Sequence, residues 1–365
     1  MGAAVAVLAG RRRWNDEEVG EPADDAPGAP AGAEPDGPDI ADFGSSAPVA
    51  TSWIAGPVGN LFIRDSGGSE LGNGVAMDSA GLGSGFGDLS LGPERTEARR
   101  RPLPVLFVHG LAGNGGQWAL QVDHLSRFRR ALALDLRGHG DSDAAELELD
   151  AEAPEPAAEV PAEGVSGSGY PSAPGGPYGV AALAGDVAAV ADALALRRFV
   201  LVGHSLGAAV AIAYAAAHPR RVAGLVLADP NGDQTRIPRS QMEPFLTALR
   251  ADPLRELETY FRQLVAGGDR EVAGWVLEDL QLTDEGAIAA AVEGALHFSP
   301  VSELARYPGP RLAVISAMNT LPYSLHRLVP DLPVELMRGT GHWLMMDRPE
   351  VFNHILDDFL ERVDG

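Results

Sequence analysis

Hydrophobic and polar positions divide the chain near residue 103. From there on, short unbroken apolar runs recur: LPVLFV (103–108), ALALD (131–135), FVLVG (199–203), GLVLAD (224–229), RLAVIS (311–316) and VELMR (334–338). Strands covered on both faces of a parallel sheet need runs of this kind. Between several of them the spacing becomes helical. Val180, Leu183, Val187, Val190 and Leu194 recur at three and four residues. Val351, Phe352, Ile355, Leu356, Phe359, Leu360 and Val363 do the same after Pro349, which suits a helix start. Strands alternating with helices predict a mostly parallel α/β sheet with right-handed crossovers. Upstream, TSWIAGPVGNLFIRDSG (51–67) has two alternating runs around Gly56-Pro57, the pattern of a hairpin. One stretch breaks the alternation. Residues 232–300 hold helix-like segments, such as SQMEPFLTALRADPLRELETYFRQLVA, and no convincing strand. They predict a helical insertion between two strands, covering one end of the sheet.

Composition changes this picture at the flanks. Residues 1–50 carry ten acidic and three basic residues, and residues 144–177 carry seven acidic and none basic, a net of −7 in each. Much of the overall net charge of −23 therefore sits in two segments rich in Ala, Pro and Gly and poor in large apolar residues. Such segments bury too little to offset the entropy of ordering. They are expected to be a disordered acidic tail (1–47) and a flexible insert (144–177); a Gly/Ser-rich stretch at 66–101 reads as a second insert. The acidity argues against nucleic-acid binding and against docking on anionic lipid. No apolar run reaches the length of a membrane span. The N-terminal apolar residues precede the arginines, the reverse of a secretory signal, so a cytoplasmic location is expected. The sequence has no Cys, which excludes disulfides, thiolate ligands and a Cys nucleophile, and no Lys, which excludes Lys-based catalysis.

Chemistry enters at RFVLVGHSLGAAVAIAYAAAHP (198–219). Gly203-His204-Ser205-Leu206-Gly207 lies between a strand pattern and a helix pattern. Such a turn forces its serine into a strained conformation with Oγ exposed above the sheet, and places the Leu206 N–H where an oxyanion is favoured. His342, in the glycine-rich turn GTGHW after the last strand pattern, is the best candidate base.

Three further stretches join this turn in a resemblance. FVHGLAGNGGQW (107–118) is similar to the His-Gly loop after the third strand of the α/β-hydrolase fold family. LDLRGHGDSD (134–143) is similar to the family's loop after the fourth strand, and GTGHWLMMDRPEVFNHILDDFL (339–360) to its histidine segment. The chain from about 103 to 363, with the hairpin at 51–65, resembles that family. The resemblance implies an eight-stranded, mostly parallel sheet flanked by helices, with core segments at 48–230 and 301–365 and a helical cap at 231–300. It also implies backbone donors for an oxyanion at Leu111 and Leu206, and supporting roles for His109 and His139. His204, the variable residue of the elbow, is expected to pack beside the sheet.

The acid departs from the family's commonest pattern. The loop after the seventh strand, AMNTLPYS (317–324), contains no carboxylate; Asn319 and Thr320 stand there instead. The family's second solution places the acid at the end of the sixth strand. That strand ends on Asp229, which becomes the expected partner of His342, with Asp233 as runner-up. A Ser-His-Asp arrangement of Ser205, His342 and Asp229 implies acyl transfer on an ester, thioester or lactone. An elbow aspartate, as in dehalogenases and epoxide hydrolases of this fold, is absent. Carbon–carbon bond hydrolysis, cofactor-free perhydrolysis and a slow-turnover ligand receptor remain alternatives on the same residues. Trp118, Trp343 and Met345 are candidate substrate contacts, and would suit a small to medium, largely apolar molecule. No cofactor or metal is implied, and the oligomeric state is left open.

Overall fold

The computed structural model describes residues 49–67, 102–145 and 175–365. The expected acidic tail (1–47) and the greater part of the inserts expected at 66–101 and 144–177 lie outside the described residues. Among the described residues, eight strands form one sheet in the order β1-β2-β4-β3-β5-β6-β7-β8. They are β1 (Ala50–Ala55), β2 (Asn60–Asp65), β3 (Val105–Val108), β4 (Ala131–Leu134), β5 (Phe199–His204), β6 (Val222–Ala228), β7 (Arg311–Ser316) and β8 (Val334–Met337). The hairpin β1–β2 is antiparallel and joins β4 in antiparallel sense; all pairings from β4 to β8 are parallel. Every residue of β3, β4, β5 and β6 is buried. That is why these strands read as unbroken apolar runs rather than alternating ones.

Helices flank the sheet: α1 (Ala119–Ser126), α2 (Val180–Ala193) and α3 (Leu206–Ala217) in the first half of the core. Helix α3 is rich in alanine and buried along most of its length, so its small side chains let it lie close against the strands. Between β6 and β7 the chain forms α4 (Arg239–Ala251), α5 (Pro253–Leu264), α6 (Arg270–Leu282), α7 (Glu285–Leu296) and the short α8 (Pro300–Leu304), with no strand. Three of these have Asp caps: Asp252, Asp269 and Asp284 accept from the backbone N–H groups of Arg255, of Glu271 and Val272, and of Ala287. The chain closes with α9 (Leu325–Leu328), α10 (Leu344–Asp347) and α11 (Pro349–Asp364). Helix α11 starts on Pro349 and buries Phe352, Leu356, Phe359 and Leu360, the apolar stripe of the sequence pattern. Among the described residues, no helix is long and apolar enough to cross a membrane.

Candidate active site

Ser205 follows β5 directly and precedes α3. Its backbone sits at φ 52° and ψ −113°, a region that a residue with a side chain enters at a cost of order 1–3 kcal/mol. The glycines on either side make the turn possible. A Cβ on Gly203 would collide with the backbone of Gly207, and one on Gly207 with the backbone of Val108 and His109. The elbow therefore packs directly onto the end of β3. Leu206 is the first residue of α3, so its N–H has no partner within the helix and points out at the helix's positive end. Leu111, from the loop after β3, borders the same cavity as Ser205.

That loop is held from several sides. His109 Nε2 accepts the Leu136 N–H at 3.0 Å, so its Nδ1–H donates to the Gly110 carbonyl at 2.7 Å. The His139 ring lies 5.3 Å from that of His109, and His139 Nδ1 donates to the Arg137 carbonyl. Arg137 in turn forms a buried ion pair with Asp186 of α2. Burial, with the neighbouring His139 second, lowers the His109 pKa well below the ordinary value; burial likewise lowers that of His139. Both rings are fixed, neutral supports. Asp279 of α6 reaches the loop from the other side, accepting from Asn114 Nδ2 and Gln117 Nε2, each at 2.9 Å.

His342 sits in the turn between β8 and α10, 7% exposed. Its Nδ1 lies 2.6 Å from Asp229 Oδ2, and its Nε2 is buried with no hydrogen bond to the protein. A carboxylate accepts, so Nδ1 carries the proton and the Nε2 lone pair is the available base. The peptide of His342 is clamped at both ends. Its N–H donates to the Leu264 carbonyl at the end of α5 at 2.9 Å. Its carbonyl accepts from His204 Nε2 at 3.0 Å. His204 is wholly buried beside the sheet, and burial, with the nearby His342 second, lowers its pKa to about 3. Gly341 leaves room for this approach, since a Cβ there would lie 2.8 Å from the Leu264 carbonyl oxygen.

Asp229 follows β6 at φ 41°, ahead of Pro230. Its Oδ1 accepts from the Ser316 N–H at 2.9 Å and Asn319 Nδ2 at 3.0 Å; its Oδ2 accepts from Ser316 Oγ at 2.9 Å and from His342. Burial alone pushes its pKa up. The hydrogen bond and charge of His342, with donors from Ser316 and Asn319, outweigh burial and hold it below the usual carboxylate value. Asp233, the runner-up, is occupied elsewhere. It caps the turn at 234–236 through Thr235, accepts from Ser299 Oγ at 3.0 Å and pairs with Arg236. The geometry leaves it no part beside His342.

The narrow cavity at Ser205 is lined by Leu111, His204, Asn231, Tyr260, Phe261, Leu264, His342 and Trp343. A second chamber continues past His342 to Asp229, Asn319 and Tyr323. Trp343 thus lies where a substrate contact was expected. Trp118 and Met345 do not, and that expectation is corrected. Trp118 is fully buried in the core, its ring 4.8 Å from Phe107 and 5.8 Å from Phe352. Met345 is fully buried in α10, its carbonyl accepting from Gln121. An apolar residue beside a functional motif packs equally well into core or cavity, so sequence could not separate the two. Asn231 and Leu264 are the lining residues that sequence reading left out of the site, whereas Tyr260 and Phe261 stood there among the apolar cap residues that could line the cleft. The α5 residues carried a signal, because Leu257, Tyr260, Phe261 and Leu264 form one buried stripe at helical spacing.

Comparison with known proteins gives the same frame. The family model described as alpha/beta hydrolase fold matches residues 104–294, just over half of the chain. An sn-1-specific diacylglycerol lipase, ABHD11, of Mus musculus is 25% identical over 309 residues, covering 74% of this chain and 89% of the relative. The dihydrolipoyllysine-residue acetyltransferase component of the acetoin cleaving system of Pseudomonas putida is 27% identical over 270 residues. There the match covers 71% of this chain but only 64% of the relative. Among solved structures, the enol-lactonase from Burkholderia xenovorans LB400 superposes with a TM-score of 0.59 at 20% identity, covering 85% of this chain and all of the other. At that identity the likeness is one of fold.

Proposed function

The chain belongs to the alpha/beta-hydrolase fold family, and from that premise we propose that it is a serine ester hydrolase working through Ser205, His342 and Asp229. The observation that carries the reading is the 2.6 Å bond from His342 Nδ1 to a buried, ionised Asp229, on a histidine that shares its cavity with a strained elbow serine. Ser205 Oγ attacks the ester carbonyl while His342 Nε2 takes its proton. The N–H groups of Leu111 and Leu206 hold the oxyanion of the tetrahedral intermediate. The intermediate collapses, the alcohol leaves with the proton from His342, and Ser205 holds the acyl group. Water then attacks this ester, giving its proton to His342, and the acid departs as Ser205 is restored. Asp229 keeps the imidazole in the right tautomer throughout and stabilises its cationic form.

The helices between β6 and β7 serve as a cap, because Tyr260, Phe261 and Leu264 of α5 cover the nucleophile. The mostly apolar lining and the limited room favour a small to medium, largely apolar acyl group on an ester, thioester or lactone. The acidic composition fits a cytoplasmic enzyme of small molecules rather than one bound to nucleic acid or anionic lipid. A chain-length panel of p-nitrophenyl esters tests this. Turnover should be highest for short to medium acyl chains and lost in Ser205→Ala. Undiminished turnover in Ser205→Ala would sink the reading, and a single turnover per molecule would point to a receptor instead.

A further inference from the structure

We propose that Asn319, in the loop after β7, is a positioning residue that holds Asp229 in place and keeps it ionised against His342. The proposal rests on the reading of Asp229 as the acid partner of His342. Asn319 Nδ2 donates to Asp229 Oδ1 at 3.0 Å and also to the Pro230 carbonyl at 3.1 Å. One amide group thus ties together the carboxylate and the backbone just after it. That backbone needs a tie. Asp229 sits at φ 41° directly before a proline, whereas a residue in that position prefers extended backbone. A strained residue keeps its geometry only where its surroundings over-determine it. Here the surroundings come from β7: Ser316 supplies its N–H to Oδ1 and its hydroxyl to Oδ2. Asn319 supplies the remaining donor, from a loop that forms its own tight turn through the Asn319 N–H to the Ser316 carbonyl.

The chemical identity of the side chain matters as much as its reach. A buried carboxylate stays charged only if its oxygens receive hydrogen bonds. The amide nitrogen of Asn319 can only donate, so it favours the ionised form of Asp229. An aspartate at 319 would bring a second carboxylate to the same oxygen. Two acids at that separation cannot both ionise readily, and one would hold a proton. The loop is therefore committed to a neutral donor once the acid stands on β6. Among the described residues, the histidines whose charge couples to Asp229 are His342 from the turn after β8, His204 from the elbow and His326 from α9, and Tyr260 and Tyr323 line the same chamber. A pH effect of changing residue 319 must be read against these groups.

The test compares Asn319→Ala and Asn319→Asp with Asp229→Asn and wild type, using kcat, KM and the pH profile of kcat/KM on an aryl ester. Loss of one donor to a buried carboxylate is expected to lower kcat of Asn319→Ala roughly tenfold, with KM within about twofold of wild type. With fewer donors, Asp229 attracts the proton of His342 more strongly. The acid limb of the profile should therefore move to higher pH by about half a unit. Asn319→Asp, nearly identical in shape, should lose more kcat, because the proton shared by the two carboxyls takes charge from Asp229. A His326→Gln background in which the limb shift persists assigns it to Asp229. Wild-type kcat with an unmoved limb in Asn319→Ala, or wild-type kcat in Asn319→Asp, would overturn the proposal, provided Asp229→Asn itself is strongly impaired. Wild-type turnover in Asp229→Asn would overturn the underlying acid assignment instead.

Discussion

At the scale of single residues, two side chains with backbone φ above +20° define the site. Ser205 at 52° and Asp229 at 41° stand at the ends of neighbouring strands, and His342 reaches between them from the turn after β8. Asp229→Asn replaces an acceptor with a group that can donate to His342 Nδ1, which favours the wrong tautomer. Steady-state kinetics should find kcat reduced by roughly 10³- to 10⁴-fold. Asp233→Asn should leave kcat within a few-fold of wild type, because its partners are Thr235, Ser299 and Arg236. Thermal melting is where that variant should be affected. The sequence placed Ser205 and His342 through their glycine-flanked turns. It reached Asp229 only because the loop after β7 offered no carboxylate. That Asn319 fills the gap by bonding to Asp229 was not legible, since a neutral residue leaves no charge pattern to follow.

At the scale of elements, the helices between β6 and β7 touch the core where function is concentrated. Asp279 accepts from Asn114 and Gln117 of the loop after β3. Asp347 of α10 accepts from the Gly341 N–H and from the Asp269 N–H that opens α6. The Leu264 carbonyl takes the N–H of His342. The insertion and the histidine turn are thus one hydrogen-bonded unit. Asp347→Ala removes two of these bonds and is expected to lower kcat roughly five- to tenfold. Amide exchange in α5 and α6 should rise in the same variant, and unchanged exchange would separate the two effects. Six strands, β3 to β8, and two helices, α2 and α11, were readable from period alone, to within two residues at each end. The ties between the insertion and the rest of the chain join residues 78 to 165 positions apart, and no local pattern carries them.

At the scale of the whole molecule, three buried histidines bind the chain's stability to pH. Burial lowers the pKa values of His109, His139 and His204, in the last case to about 3. In the unfolded chain each would titrate near 6.5. Below that value the unfolded state binds protons that the folded state does not, so stability falls as pH drops. The loss approaches ~1.4 kcal/mol per pH unit for each group until its folded pKa is reached. Asp229 acts in the same direction at lower pH: its folded pKa lies below 3.8, so its stabilising contribution is lost as pH falls below that value. Asp135, Asp186, Asp279 and Asp347, whose pKa values burial raises, act in the opposite sense. The histidine contribution is therefore read by difference. Denaturant melts between pH 7 and 4 should show a smaller fall in His204→Gln than in wild type, and equal falls would contradict a neutral buried imidazole there. The eight-stranded order and its two antiparallel pairings at one edge follow the family pattern that four motifs announced. The acidic segments that dominate the net charge contributed nothing to locating the site.

The most direct test of the chemistry is intact-mass spectrometry of the protein quenched in acid within seconds of mixing with an excess of p-nitrophenyl acetate. A single added acetyl group, mapped by digestion to Ser205 and absent in Ser205→Ala, is the expected result. Ester turnover with no adduct on Ser205, or with the same adduct in Ser205→Ala, would contradict nucleophilic catalysis at the elbow.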